Sequence, residues 1–240
     1  MEGSTHIGPL TVLVTGGSSP SGIAAARAAR SAGHRVFTVG SDEGRIRAAA
    51  AQAGEGITPL VCDLGSLEQV RMLADTIHAK AGAVDGVIHL VGGWRGANGI
   101  TDQSDDDWDF LARSAITTVR NVTRVFFDDL AGSPKGRFAM VTSTAVAHPT
   151  AAGANYAAAK SAAEAWTRAV AEGFGPRPHS AAVIFALQAL VDDGMRRRRP
   201  ERDYSEFTDV RDLAAAAVGL FDRPAAEING RTILLAPSLD

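Results

Sequence analysis

Cysteine is almost absent from this 240-residue chain: Cys62 stands alone, so no disulfide can form within it and a reducing compartment is expected. No apolar run approaches the roughly 18 residues that a membrane-spanning helix needs. An excess of positive charge is missing too. With 24 Lys and Arg against 27 Asp and Glu, the formal net charge of −3 gives no global basic field for nucleic acid. The six histidines and one cysteine show no metal-ligand spacing, so no metal is expected. Residues 1–9 lack the charged and apolar regions of a secretory signal; they read as a polar lead-in, and a cytoplasmic location is expected.

What is present is enough apolar material, 45% of residues, for one substantial core and one domain over 1–240. Leu10–Val14 is an apolar, β-branched run that breaks into ThrGlyGlySerSerProSerGly and then an alanine-rich helical pattern, 23–32, closed by Gly33. Strands follow at 34–40, 57–63 and 84–91, with helices at 43–53 and 67–81 between them. A long helix is expected over 104–130, a strand at 137–142, a helix at 154–173, a strand at 180–187, a helix at 209–221 and a last strand at 231–236. Strands that are apolar along their length and alternate with helices indicate a parallel sheet covered on both faces, the doubly wound α/β class. Residues 194–207 have no such pattern and carry the run Arg196–Arg199. They read as a solvated mobile loop, or as a lid whose arginines meet an acidic substrate or a cofactor phosphate.

Chemistry concentrates between Ser143 and Lys160. Tyr156 and Lys160 are four apart on one helix face, so the ammonium can lie beside the phenol, favour the phenolate and lower a pKa that is ordinarily about 10. Tyr156 is thereby a candidate acid/base, Lys160 its tuner, and Ser143, ending a strand, a holder for a substrate oxygen. The turn from Gly16 to Gly22 has a second kind of chemistry. Glycine lets the backbone approach a pyrophosphate, and the helix behind it offers free N–H groups. Ser19 suits the N-cap and Pro20 the first helical position, while Ser18, Ser19 and Ser21 can supply hydroxyl donors.

The glycine turn after strand one, Cys62-Asp63-Leu64 after strand three, Ser143, Tyr156-x-x-x-Lys160 and IleAsnGlyArgThrIleLeuLeuAla at 228–236 fall in the order and spacing of the short-chain dehydrogenase/reductase family, which the chain resembles over nearly its whole length as a divergent member. The resemblance implies a Rossmann-type α/β/α fold with a seven-stranded parallel sheet, a nicotinamide cofactor and hydride transfer between a carbonyl and an alcohol. By the same likeness, Ser143 orients the substrate oxygen, Tyr156 gives or takes its proton, and Lys160 also binds the nicotinamide ribose. Gly16, Ser18, Ser19 and Gly22 face the pyrophosphate, Asp63 accepts from the adenine amino group, and Gly92 lies beside the cofactor. A homodimer or homotetramer is also implied. At the end of strand two, where an acidic residue selects NAD(H), the aligned residues are Gly40 and Ser41. With Ser41 and Arg45 as phosphate donors, NADP(H) is favoured over NAD(H), unless Asp42 turns inward.

The chain departs from the family pattern in several places. Pro20 replaces a glycine of the turn; His89, Leu90 and Val91 replace the polar end of strand four; Ala115 stands where an asparagine supports a water chain to the lysine; Gln188-Ala189 replaces Pro-Gly after strand six. Three readings remain open. One is a reductase or dehydrogenase with a rerouted proton path through Thr117, His89 or solvent; a second is a non-redox dehydratase, isomerase or cyclase using Tyr156; a third is a nucleotide-binding or regulatory protein. Trp94, His148 and Gln188 are expected around the substrate, Trp94 as a flat wall for a small, ring-bearing molecule and His148 as a second acid/base group.

Overall fold

The computed structural model describes residues 8–237; all of the lead-in except Gly8 and Pro9 lies outside them. Seven strands form one parallel sheet in the order β3-β2-β1-β4-β5-β6-β9. These are β1 Thr11–Thr15, β2 Arg35–Gly40, β3 Ile57–Val61, β4 Gly86–His89, β5 Arg137–Ser143, β6 Ala181–Leu187 and β9 Thr232–Leu234. The seven-stranded Rossmann-type architecture is thus the one the resemblance implies.

Successive strand residues face opposite sides, and the two cores sort accordingly. Val12 and Val14 of β1 pack with the helices α1 Pro20–Ser31, α2 Glu43–Ala53 and α8 Val210–Gly219. Leu13 between them points the other way, into a core with α3 Leu67–Ala81, α5 Thr118–Gly132 and α6 Ala154–Gly173. Every β1 residue is buried, which is why its centre, Val12–Val14, is continuously apolar rather than alternating.

The strand order reverses between β1 and β4, which pair in register from Val12–Gly86 to Thr15–His89. A crevice must open beyond the carboxyl ends of strands at such a reversal, because the two connections leave in opposite directions. The glycine turn leaves β1 there and Leu90–Gly92 leave β4.

Two regions differ from the sequence expectation. The span 104–130 is not one helix but α4 Asp105–Leu111, a single π turn Ala112–Thr117, and α5. The charged segment after β6 is also partly ordered. Its flanks pair as a two-stranded sheet, β7 Leu190–Val191 with β8 Thr208–Asp209, and enclose the short helix α7 Asp193–Arg198. The remaining short helix, α9 Ala225–Ile228, precedes β9. Among the described residues, no helix is long and apolar enough to cross a membrane.

Candidate active site

Ser143 ends β5, and Tyr156 and Lys160 lie in the first two turns of α6. The Ser143 hydroxyl accepts from the Ala145 amide at 3.2 Å and is near enough to the Tyr156 phenol to act on its pKa. Lys160 is buried, and its Nζ donates to the Val141 carbonyl at 2.9 Å. A Cβ built at Gly92 would lie 3.4 Å from that Nζ, so the chain leaving β4 runs in contact with the lysine.

The electrostatics correct one expectation. Tyr156 has its pKa raised, not lowered: burial comes first and outweighs the lowering effect of the Ser143 hydroxyl. The physical source of that burial is an apolar wall of Leu111, Ala115 and Ala159, against which Ile116 and Tyr156 pack. Ala115, at the place of the family's asparagine, therefore contributes methyl surface where a polar group would have hydrated the phenol. Burial likewise lowers Lys160 to about 8, against a smaller raising effect of Glu164.

Polar groups occur on the other side of the lysine. Thr15 Oγ1 lies 2.8 Å from His89 Nδ1, and His89 Nε2 lies 3.1 Å from Thr118 Oγ1, which itself donates to the Ser114 carbonyl at 2.6 Å. Because the Thr118 proton is committed to Ser114, Thr118 must accept from Nε2–H, and Nδ1 must accept from Thr15. Such an imidazole is neutral. Burial, with the Lys160 cation second, pushes its pKa down to about 3. The hydroxyl that reaches His89 is Thr118, not the neighbouring Thr117 of the rerouted path.

The crevice at the β1/β4 reversal encloses about 460 Å³ and is lined by Gly16, Ser18, Ser19, Ser41, Asp63 and Gly92, six of the residues expected to hold the cofactor. Its backbone fits a dinucleotide. Gly16 has φ +70, closed to most side chains, and a Cβ on Gly22 would meet the Gly16 carbonyl and approach the Gly17 Cα to 2.6 Å, so the helix and turn pack more closely than any other residue permits. Ser19 caps α1 through a 3.0 Å bond from the Gly22 amide, with Pro20 in the first turn as the sequence indicates. Arg113 and Arg45 also line this space. Asp63 is held there by the Arg113 guanidinium at 2.6 Å and the Gly65 amide at 2.9 Å.

A family model for short chain dehydrogenases matches residues 10–201. The chain belongs to that family. It is accordingly an NAD(P)-dependent oxidoreductase by class. Among its relatives is a 3-oxoacyl-[acyl-carrier-protein] reductase of Vibrio harveyi, 25% identical over 228 residues that cover 92% of this chain and 93% of that protein. The fold is shared with a short chain oxidoreductase of Pseudomonas aeruginosa PAO1, bound to NADPH and described as containing an atypical catalytic center, at TM-score 0.84 and 21% identity over 98% of this chain and 99% of that one. It is shared also with a 3-ketoacyl-(acyl-carrier-protein) reductase of Brucella melitensis complexed with NADH, at TM-score 0.82 and 20% identity over 95% and 97%.

Within this short chain dehydrogenase, the three residues expected around the substrate are all exposed, and none lines the crevice. Trp94 is 68% exposed and lies against Gly96. His148 is exposed after β5, and Gln188 Nε2 donates to Glu206 at 2.7 Å, tying the end of β6 to the charged segment. Sequence reasoning also passed over Glu164 and Arg168. Both of Glu164's oxygens accept, one from the Thr142 hydroxyl at 2.7 Å and one from Arg168 at 2.7 Å. The signal was in plain view: Tyr156, Lys160, Glu164 and Arg168 recur every four residues, the spacing of one helix face.

Proposed function

We propose that this short chain dehydrogenase is an NADP(H)-dependent carbonyl reductase with Tyr156 as its proton donor. The observation that carries the reading is that Lys160, one helical turn from Tyr156 and bonded to β5 two residues before Ser143, lies against Gly92, a residue lining the crevice at the β1/β4 reversal. When bound, the nicotinamide supplies or receives the hydride. Ser143 orients the substrate oxygen, Tyr156 exchanges a proton with it, and Lys160, buried beside Gly92, holds positive charge next to both. A phenol kept protonated by an apolar wall suits donation to the oxygen of a carbonyl undergoing reduction. The relative from Vibrio harveyi, by its name, reduces a ketone carbonyl, and a small ketone is the proposed substrate class here.

The cofactor preference rests on residues of this chain. Asp42 does not turn inward; it caps α2, accepting from the Arg45 amide at 2.7 Å, while Ser41 and Arg45 line the crevice. Room for a phosphate with a hydroxyl and a guanidinium beside it favours NADP(H). A cytoplasmic location and a homo-oligomer remain part of this reading.

Fluorescence titration with NADPH and NADH tests it first, and binding of neither overturns it. Given binding, Tyr156→Phe should lower turnover about 10²- to 10⁴-fold, the span of general acid catalysis, with dinucleotide affinity nearly unchanged. Full activity in that variant would remove the assigned donor.

A further inference from the structure

We propose that Glu164 is a positioning residue that acts through Lys160: its carboxylate keeps the buried lysine cationic and holds the end of β5 against α6. The inference deepens the reductase reading and rests on it. Three consecutive residues of β5 meet three residues of one α6 face. Val141 presents its carbonyl to Lys160 at 2.9 Å and Thr142 its hydroxyl to Glu164 at 2.7 Å, while the Ser143 hydroxyl is near enough to Tyr156 to act on its pKa. The middle contact therefore fixes the register of the two contacts that carry the chemistry.

The charge argument is separate from the tether. An ammonium removed from water needs a counter-charge, and the Val141 carbonyl dipole alone is a weak one. Titratable groups facing Lys160 come from two elements. β4 gives His89, which is neutral; α6 gives Tyr156, whose raised pKa keeps the phenol neutral, and Glu164. β5 adds only the Val141 carbonyl and the Thr142 and Ser143 hydroxyls. Of the charges on the elements packed over α6, Asp107 of α4 pairs with Arg95, Arg113 of the π turn with Asp63 and Asp129 of α5 with His78, Arg120 of α5 lies over the outer Trp166 ring, and Asp105, Asp106 and Asp109 of α4 are exposed. Glu164, one helical turn along α6 from Lys160 and tied to Thr142 beside the lysine's own carbonyl partner, is left as the carboxylate whose charge reaches it; it is itself buried and paired from the solvent side with Arg168, whose side chain is 51% exposed. Along α6 the order is thus phenol, cation, anion, cation, from the site outward to water.

Glu164→Gln retains the shape and an acceptor for Thr142 and removes the charge. The chain has three lysines, Lys80, Lys135 and Lys160, so the Lys160 resonance of protein labelled with ¹³C at lysine Cε is assigned by its disappearance in Lys160→Met. In ligand-free protein Glu164→Gln should lower the Lys160 titration midpoint by about one pH unit, within the range an adjacent opposite charge produces. Arg168→Gln, an exposed change that serves if the first variant does not fold, should move it the opposite way. The alkaline limb of the NADPH-dependent rate should shift downward with the midpoint in Glu164→Gln, and Glu164→Asp should return it toward the parent position. A midpoint unmoved in folded Glu164→Gln, or unmoved in Arg168→Gln, overturns the proposal. The titration uses neither cofactor nor substrate, so an inactive protein whose Lys160 still follows Glu164 counts against the reductase reading and not against this coupling.

Discussion

At single residues, burial and charge pull in opposite directions, and the winner is set by neighbours far away in sequence. Tyr156 and Lys160 have the spacing of a tuned pair, yet Ala115 and Leu111 from the 105–117 segment dry the phenol and leave it protonated. His89 shows the same rule with a measurable consequence. Its folded-state pKa near 3 is depressed from 6.5, so between those values the unfolded chain takes up a proton that the folded one refuses. Stability contributed at this site is full above pH 6.5 and is lost as the pH falls toward 3. Urea unfolding at pH 7 and pH 4 should show that His89→Asn removes on the order of 3 kcal/mol of the acid sensitivity. Arg45 bears on the cofactor. The ion-pair partner of its guanidinium in the protein, Asp42, is exposed and 3.6 Å away, a weak hold that leaves the guanidinium free to meet a 2′-phosphate. Arg45→Ala should cut the ratio of NADPH to NADH affinity about ten-fold, the worth of one charge-assisted hydrogen bond, with NADH affinity little changed.

Among the elements, the glycine turn with α1 and the π turn before α5 decide what the site can hold. The first is constrained by contact with backbone, which cannot yield. Gly22→Ala places a methyl against the Gly16 carbonyl and Gly17, and thermal or urea unfolding should register a loss of about 1–3 kcal/mol together with loss of dinucleotide binding. The π turn was not legible in the sequence: one inserted residue changes the phase of a helical pattern too little to be separated from the regular repeat of 104–130. It matters because it brings Ser114, Thr118 and Ala115 to the crevice, His89 and Tyr156 respectively. The helix inside 190–209 escaped for another reason. β7 and β8 are two residues each and are paired across the intervening helix and loop, so neither had a local pattern to show.

For the whole molecule, the outer face of α6 is the surface on which the expected assembly is tested. Ala158, Ser161, Ala165 and Ala169 are exposed along it, a smooth strip that permits close approach of a second helix. The expected dimer or tetramer should appear in native mass spectrometry at micromolar concentration, and Ala165→Arg, by putting a long charged side chain into that strip, should shift it to monomer without loss of folded structure. A wild-type chain that is monomeric under those conditions removes the proposed assembly.

The linear order of residues was enough to determine the class of fold, the seven strands and the glycine turn, because each rests on local periodicity or on backbone freedom within a few positions. It also determined that Tyr156 and Lys160 share a helix face. Only the tertiary structure decided which way the Tyr156 proton is biased, that Asp63 is held by Arg113, that Trp94, His148 and Gln188 are all exposed, and that Glu164 is tied to the end of β5 beside the lysine. Those are matters of desolvation and of contact between segments dozens of residues apart, and spacing along the chain holds no record of either.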